Sequence, residues 1–330
     1  MNSPSSQRPI LITGASGFIG SHLARRLVRT SSCIVGTCTA RHRASRVHGL
    51  PANFLIETAD LRDPGSFESL FATYRFGTVF HLAAQGVQAA SAAEGARAGD
   101  YALEIASSNA LGSMALAQAA LRHGVKTFVY CGSGLEYESG DLPVDESAPL
   151  SAPNLYGASK AAGWLLLDYL CRVEGLPLTT VRPFTVFGPA ESDRKLIPYV
   201  IGKALRRETL QLGPGTQVRD YVYVSDVVDA LILAAGGENA AGEVFNIGSG
   251  VSEARTIRAV VETTLDMIGA PRSLCRFGEE RRSRPDPAAL VANSADAMAR
   301  LGWKPRVSLE AGLARTIRFI ASEPVRAVAA

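Results

Sequence analysis

Short apolar runs alternate with longer amphipathic segments through the first 182 residues of the chain. The runs have the length and continuous hydrophobic character of strands that are buried on both faces of a sheet. We predict strands at 9–13, 33–37, 54–57, 78–82, 127–131 and 179–182. The segments between them predict helices at 18–29, 66–74, 103–123 and 156–174. This alternation predicts an α/β protein with a doubly wound parallel sheet.

The alternation becomes irregular after Pro183. Helical patterns occur at 197–207, 224–235, 256–268 and 294–301, and the apolar run 245–247 is predicted to rejoin the sheet. We therefore predict a sheet domain over 1–182, rejoined by about 220–248, and a smaller C-terminal α/β lobe over 183–219 and 249–330. The Ala- and Gly-rich stretch 85–99 has no clear period and is predicted to be a loop.

Composition and charge exclude several classes of protein. The 330 residues are 47% hydrophobic and 20% charged, which is an ordinary globular balance. The net charge of +3 is too small for a dedicated nucleic-acid-binding or membrane-surface protein. The five cysteines form no CxxC pair and no cluster with histidine, so neither a disulfide framework nor a metal site is expected. Without a secretory signal or a run of about 18 apolar residues, the expected location is the cytoplasm, with no membrane span.

A glycine-rich turn follows the first predicted strand and precedes the first predicted helix. It reads Gly14-Ala15-Ser16-Gly17-Phe18-Ile19-Gly20. Glycines permit positive φ in such a turn and allow a pyrophosphate to approach the backbone at a helix N-terminus. The GxxGxxG spacing between strand and helix therefore predicts a dinucleotide-binding turn.

The end of the second predicted strand indicates which dinucleotide binds. NAD is usually held by an acidic residue at this place, which takes the ribose hydroxyls. Here the chain has Thr39 instead of an acid, and Arg41 and Arg43 follow. Because guanidinium groups bind phosphate well, we predict NADP, with NAD as the alternative. Asp60 and Leu61, after the third predicted strand, are placed to reach the adenine.

Three residues form a candidate catalytic set. Tyr156 and Lys160 lie four residues apart on one face of a predicted helix. A nearby ammonium stabilises a phenolate and lowers its pKa, which would make Tyr156 a usable acid/base group. Ser133 follows the fifth predicted strand, at the carboxyl edge where ligands of such sheets bind. Its hydroxyl could hydrogen-bond a substrate oxygen.

These motifs together resemble the extended short-chain dehydrogenase/reductase family, whose members are nucleotide-sugar epimerases, dehydratases and reductases. The matching stretches follow the family order from residue 10 to about 315. They are TGASGFIG (13–20), DLRD (60–63), HLAA (81–84), YCGSGLEY (130–137), YGASK (156–160), RPFTVFGP (182–189), RDYVYVSDVVDA (219–230), FNIG (245–248) and SRPD (283–286).

The resemblance implies a Rossmann domain over 1–182 that binds the dinucleotide and a C-terminal lobe that binds the substrate. It implies that Tyr156 is the acid/base, that Lys160 binds the nicotinamide ribose, that Ser133 positions the sugar oxygen and that Asn109 supports the active-site helix. Further cofactor contacts are expected from Leu82, Ala83, Ala84, Pro183 and Val186. Arg219 and Arg284 match family arginines that hold the diphosphate of the sugar nucleotide.

Departures from the family pattern favour one reaction over the others. Sugar 4,6-dehydratases carry an acidic pair directly after the catalytic hydroxyl, where this chain has Gly134 and Leu135, with Glu136 one residue late. Epimerases of the family usually hold NAD tightly, and an acid at the second strand would serve that purpose. We therefore expect an NADPH-dependent reductase of a nucleotide-linked 4-keto-6-deoxyhexose. The alternatives are an NAD-dependent nucleotide-sugar 4-epimerase and a non-catalytic dinucleotide sensor or scaffold, although the intact catalytic set argues against the latter.

The expected partners are the nucleotide-sugar substrate and a second copy of the chain. In dimers of the family, the helices that correspond to those containing Asn109 and Tyr156 pair into a four-helix bundle. The second of these helices carries apolar residues on more than one face: Leu165, Leu166, Leu167, Tyr169 and Leu170.

Overall fold

The structure is a computed structural model, which describes residues 8–40, 44–86, 98–137, 143–237, 240–278 and 287–322. Its main element is a seven-stranded parallel sheet with the strand order β11-β6-β5-β4-β1-β2-β3. The strands are β1 (Ile10–Thr13), β2 (Ile34–Cys38), β3 (Phe54–Thr58), β4 (Thr78–His81), β5 (Thr127–Cys131), β6 (Leu178–Pro183) and β11 (Val244–Ile247). The six predicted strands and the rejoining strand at 245–247 are thereby confirmed.

Helices cover both faces of this sheet. They are α1 (Phe18–Leu27), α2 (Pro64–Tyr74), α3 (Ala98–Ala106), α4 (Gly112–Arg122), α5 (Leu155–Glu174) and α7 (Val224–Gly236). Adjacent residues of β1 separate the two cores: Ile12 packs with α1 and α7, whereas Leu11 packs with α2, α4 and α5. The predicted doubly wound α/β architecture is therefore correct.

The predicted helix 103–123 differs from the structure in two respects. It begins earlier, at Ala98, and a turn of π-helix at Ser107–Leu111 separates α3 from α4. The prediction of a loop over 85–99 is thus wrong for its last two residues, while 87–97 lie outside the described residues. A π turn accommodates one extra residue in the helix, which apolar periodicity does not reveal.

The C-terminal part contains short strands and further helices. The strands are β7 (Thr185–Phe187), β8 (Leu210–Leu212), β9 (Val218–Arg219), β10 (Tyr221–Tyr223), β12 (Arg255–Thr256), β13 (Cys275–Phe277) and β14 (Ala289–Leu290). The helices are α6 (Leu196–Leu205), α8 (Ile257–Ile268), α9 (Ala295–Leu301) and α10 (Leu309–Ser322). Sequence analysis missed α10, although Leu309 and Leu313 mark its buried face. The boundary between the two domains stays a prediction.

The short strands form separate sheets beside the main one. The β7 strand pairs with β10, β8 pairs with β13, and β9 lies between β12 and β14. This arrangement places Arg219, in β9, within a small three-stranded sheet. No helix of the described residues is long and apolar enough to cross a membrane.

Candidate active site

The glycine turn lies between β1 and the start of α1, as predicted from the sequence. Gly14 has φ +69°, and a Cβ at this position would lie 2.8 Å from the Cα of Ala83. Gly17 is the N-cap of α1. Because glycine has no side chain to cap the helix, the cap residue does not occupy the N–H groups of the first turn. Ser16, Phe18, Ile19 and Gly20 complete this turn and the first turn of α1. The turn fits a pyrophosphate, because it offers backbone donors at a helix N-terminus.

The end of β2 places its residues next to this turn. Cys38 is the last residue of the strand, and Thr39 after it is exposed. Arg41 and Arg43 lie outside the described residues, so their predicted approach to a 2′-phosphate stays a prediction. Asp60 forms an ion pair of 2.7 Å with Arg62, whose guanidinium holds the pKa of that carboxyl below its usual value. Leu61 is buried against Gly112.

Arg46 is a residue near the glycine turn that sequence analysis missed. Its Nη1 donates to the carbonyl of Ser16 at 3.3 Å, and its Nε donates to the carbonyl of Ala190 at 3.0 Å. The guanidinium thereby ties the glycine turn to a segment that follows β7. The sequence shows Arg46 only as one more basic residue soon after β2, beside Arg41 and Arg43. Its role becomes visible through its contacts with Ser16 and Ala190.

The segment after β4 runs alongside the turn. The backbone N–H groups of Leu82 and Ala83 both donate to the Thr13 hydroxyl at 3.2 Å. Ala84 follows them, and Gln85 exchanges two backbone hydrogen bonds with the Asn109 side chain, at 2.8 and 2.9 Å. The HLAA stretch therefore lies between the glycine turn and the helix that carries Asn109.

Tyr156 and Lys160 lie near the start of α5. The Asn154 side chain caps this helix by accepting from Gly157 N at 2.9 Å. Lys160 is fully buried, with its Nζ 4.1 Å from the centre of the Tyr130 ring. Within the described residues the Lys160 ammonium makes no hydrogen bond, so its three donors remain for a ligand such as a ribose hydroxyl.

Ser133 faces this helix from the loop after β5. Gly157 permits the close approach, because a Cβ at that position would overlap the carbonyl of Leu135. The Ser133 hydroxyl accepts a hydrogen bond from Leu135 N at 3.2 Å. Since that bond uses an oxygen lone pair, the hydroxyl proton is left to donate to another oxygen. The structure thus brings Ser133, Tyr156 and Lys160 to one edge of the sheet.

Burial controls the protonation of this site. It raises the pKa of Tyr156 above its usual value, and the nearby Cys131 and Glu136 add to the rise. The sequence predicts the opposite direction, a pKa of Tyr156 lowered by Lys160. The structure differs because the loss of hydration on burial is the largest effect on the Tyr156 hydroxyl. Burial also lowers the pKa of Lys160 and raises that of Cys131 to about 11, so Cys131 stays a thiol at neutral pH.

Asn109 lies in the π turn and reaches α5. Its side-chain nitrogen donates to the Ser159 hydroxyl at 2.9 Å, and that hydroxyl donates to the carbonyl of Tyr156 at 2.8 Å. Ser159 and Asn109 are both buried. The side chain therefore bridges the segment after β4 and the first turn of the helix that carries Tyr156.

Glu136 belongs to a buried polar network directly behind Ser133. One carboxylate oxygen accepts from Ser133 N at 2.8 Å, and the other accepts from Arg182 Nε at 2.7 Å. Both side chains of this ion pair are at most 1% exposed. Arg182 also donates to the Tyr137 hydroxyl at 2.7 Å. Both carboxylate oxygens of Glu136 are therefore engaged by protein partners, one of them the backbone of Ser133.

The remaining predicted residues lie on the C-terminal side of the site. Pro183 ends β6, Val186 lies in β7, and Arg219 is 7% exposed and donates to the carbonyl of Val218 at 2.8 Å. Arg284 lies outside the described residues, so its contact with a diphosphate stays a prediction. Within the described part of the chain, no group of three or more His, Cys, Asp or Glu side chains could hold a metal ion.

The sheet, the glycine turn and the Tyr156–Lys160 pair define an enzyme of the extended short-chain dehydrogenase/reductase type. Residues 10–248 match the model of the family described as "NAD dependent epimerase/dehydratase family". The chain belongs to this family.

Relatives of known function match almost the whole chain. A UDP-glucose 4-epimerase of Mycolicibacterium smegmatis is 32% identical, over 94% of this chain and 97% of the relative. The structure of a Thermotoga maritima UDP-glucose 4-epimerase with UDP-glucose is 29% identical, covers 95% and 98% of the two chains and has a TM-score of 0.84. The dTDP-glucose 4,6-dehydratase DesIV of Streptomyces venezuelae, solved with NAD bound, is 28% identical, covers 95% and 97% and has a TM-score of 0.84.

Proposed function

We propose that the protein is an NADPH-dependent reductase of a nucleotide-linked keto sugar, with a 4-keto-6-deoxyhexose as the substrate class. The observation that carries the oxidoreductase part is the convergence of Ser133, Tyr156 and Lys160 at the carboxyl edge of the sheet, the edge that also carries the glycine turn. Two further features favour reduction. Glu136 is engaged by Arg182, and residues 38–40 offer no carboxylate for the ribose hydroxyls.

Each catalytic residue has a distinct role in this proposal. Tyr156 gives a proton to the oxygen of the ring carbonyl, and the free proton of Ser133 stabilises the alkoxide as it develops. Lys160 binds the nicotinamide ribose, and its charge opposes the effect of burial on Tyr156. Asn109 fixes the first turn of α5. When bound, the nicotinamide supplies the hydride.

The cofactor is proposed to lie across the switch point of the sheet, where β1 adjoins both β2 and β4. The pyrophosphate binds at the glycine turn, and Arg41 and Arg43 hold the 2′-phosphate. The adenine end reaches Thr39, Asp60 and Leu61. The nicotinamide end reaches the remaining contacts, which are Leu82, Ala83, Ala84, Pro183 and Val186.

The substrate is proposed to bind between the sheet domain and the C-terminal lobe. Arg219 and Arg284 hold its diphosphate, since arginine forms charge-assisted, bidentate hydrogen bonds with phosphate. Relatives support a nucleotide sugar, because a structural neighbour of the chain was solved with UDP-glucose. The five free cysteines suit a reducing compartment, and we propose the cytoplasm.

Dehydration is disfavoured by the position of Glu136. Elimination of water needs an acidic group that faces the sugar. Here the two residues after Ser133 are Gly134 and Leu135, and the carboxylate of Glu136 is buried with Arg182. Turning that carboxylate toward the substrate would leave a buried guanidinium without its partner, which costs several kcal/mol.

A nucleotide-sugar 4-epimerase is the second candidate. The observation that favours it is the 32% identity to a UDP-glucose 4-epimerase over 94% of the chain. The same three catalytic residues would serve an epimerase, which returns the hydride to the opposite face of the ring. The two candidates differ in cofactor use, because an epimerase regenerates its cofactor in each cycle.

Cofactor stoichiometry separates these candidates. With a 4-keto-6-deoxy nucleotide sugar we expect one NADPH oxidised per sugar reduced, measured as loss of absorbance beside product quantification. Arg41→Ala and Arg43→Ala should each weaken NADPH binding about tenfold to hundredfold and leave NADH binding unchanged, since each loses a charge-assisted hydrogen bond. Arg29→Ala, an exposed arginine after α1, is the matched control.

Other outcomes would overturn the proposal in specific ways. Tightly held NAD, with epimer formation and no NADPH consumption, would establish the epimerase. Dinucleotide binding without turnover of any nucleotide sugar in a panel would support the non-catalytic alternative.

We also propose a homodimer that forms through α5. Leu165, Tyr169 and Val173 lie four residues apart along this helix and are 54%, 48% and 61% exposed. Leu111, beside α4, is 61% exposed. A second copy of the chain would cover this apolar stripe, because paired helices of this kind bury such faces.

A charge in the stripe should separate the dimer. We expect Leu165→Glu to halve the mass measured by light scattering, because a carboxylate in the interface would lose its hydration. Leu205→Glu, at a 39% exposed leucine on α6, should leave the mass unchanged. A wild-type monomer would contradict the proposal.

A further inference from the structure

A buried hydrogen-bond chain connects the last residue of β1, directly before the glycine turn, to the catalytic helix. It runs through Thr13, His81, Ser113, Asn109 and Ser159, each of which is at most 5% exposed. The Thr13 hydroxyl lies 2.7 Å from His81 Nδ1, and His81 Nε2 lies 2.8 Å from the Ser113 hydroxyl. The Ser113 hydroxyl then donates to the carbonyl of Asn109 at 2.6 Å.

The direction of the bonds at His81 follows from its neighbours. The Thr13 oxygen already accepts the N–H groups of Leu82 and Ala83, so its own proton must go to His81 Nδ1. Nδ1 is therefore an acceptor, and the ring proton lies on Nε2, where it donates to Ser113. The Ser113 proton is in turn used by the carbonyl of Asn109. Every donor in this half of the chain has one assigned acceptor.

The second half of the chain is directed in the same way. The Asn109 amide oxygen accepts from Gln85 N, which fixes the orientation of the amide. Its nitrogen therefore donates to Ser159, whose proton goes to the carbonyl of Tyr156. Asn109 thus links the two halves of the chain. Its backbone carbonyl accepts from Ser113, and its side chain leads through Ser159 to the carbonyl of Tyr156.

The surroundings of His81 favour the neutral ring. The groups that face it are the hydroxyls of Thr13 and Ser113, the rings of Phe128 and Tyr130, and the ammonium of Lys160. Burial and the Lys160 charge both lower the pKa of His81 well below its ordinary value. A protonated ring would also place a donor against Thr13, which has no acceptor left to offer it.

We propose that His81 is a positioning residue, fixed as the Nε2–H tautomer, that holds the glycine turn and the helix of Tyr156 in one register. Cofactor seating and the placement of Tyr156 are thereby coupled. The coupling rests on the proposed function, since it assigns the cofactor to the turn and the proton transfer to Tyr156. The tautomer does not rest on it.

Nuclear magnetic resonance tests the tautomer on the wild-type protein. In a long-range ¹H–¹⁵N spectrum of histidine-labelled protein, one ring should keep the neutral Nε2–H pattern from pH 8 to about 5, below the usual histidine pKa. Ser113→Ala keeps this ring and should shift its signals, which assigns it to His81. An Nδ1–H pattern for that ring, or titration near the ordinary histidine pKa, would overturn the proposal.

Cofactor binding tests the coupling without turnover. Ser113 lies on the far side of His81 from the glycine turn, yet Ser113→Ala should raise the Kd of NADPH, or of NADH if that binds more tightly, about 3- to 10-fold for the lost hydrogen bond. Thr264→Val is the control, because Thr264 is equally buried and donates to its own helix, in α8. It should leave the Kd unchanged.

The two failures can be distinguished. An unchanged Kd in a folded Ser113→Ala protein would overturn the coupling. An equal rise of the Kd in Thr264→Val would overturn it as well. Failure of NADPH-dependent sugar reduction would overturn the proposed function and leave both the tautomer and the binding results in force.

Discussion

Replacement of Tyr156 by phenylalanine is expected to reduce the turnover of the nucleotide sugar by about 10²–10⁴-fold. The substitution removes one hydroxyl and keeps the ring, which lies near the start of α5 against the loop of Ser133. The carbonyl of Tyr156, which accepts from Ser159, is backbone and stays in place. We therefore expect folding and NADPH affinity to be unchanged while the proton donor is lost.

Tyr169→Phe provides a matched control for this variant. Tyr169 lies on the same helix, and its side chain is 48% exposed. The control should retain full turnover, measured as NADPH oxidation under saturating substrate. Near-normal turnover in Tyr156→Phe would contradict the assignment of Tyr156 as the acid/base.

Replacement of Glu136 by alanine is expected to destabilise the protein by about 3–5 kcal/mol, because it leaves a buried guanidinium unpaired. The side chains of Arg182 and Glu136 are at most 1% exposed, and Arg182 Nε lies 2.7 Å from Glu136 Oε2. The same substitution removes the acceptor of Ser133 N, so turnover should fall as the Ser133 loop loses its support. Urea unfolding measures the first effect, and NADPH oxidation measures the second.

Two further variants make this result specific to the buried pair. Asp168→Asn breaks an exposed pair with Arg172 on α5 and should cost only about 0.3–0.5 kcal/mol. Glu136→Leu combined with Arg182→Met should recover much of the lost stability, since apolar residues of similar volume can replace a buried ion pair. If Glu136→Ala unfolded at the wild-type urea concentration, the pair would have no structural role.

Local sequence patterns were sufficient for the main sheet and for the position of the glycine turn. Strands β1 to β6 are short apolar runs between turn residues. Side chains of the central strands are mostly buried, whereas those of the edge strand β3 are partly or fully exposed. Tyr156 and Lys160 were found because a helix brings residues four apart to one face. These features depend on near neighbours in the chain, which is why they could be predicted.

The features that escaped prediction depend on residues far apart in the chain. Glu136 and Arg182 are 46 residues apart, and His81 contacts Thr13 across 68 residues. The rise in the pKa of Tyr156 follows from burial by the whole fold, whereas a pattern shows only the nearby Lys160. The π turn at Ser107–Leu111 needs one extra residue, and no residue type marks it.

That π turn has a consequence for single-residue deletions. Loss of one residue between 107 and 111 would remove the extra residue, so the turn would close into regular α-helix while α3 and α4 kept their orientation. Asn109 lies inside the turn, so its side chain would lose its direction toward Gln85 and Ser159. A one-codon deletion elsewhere on the surface shortens a loop, but here it would disconnect two halves of an internal polar framework. The framework therefore depends on the length of this turn as well as on the identity of Asn109.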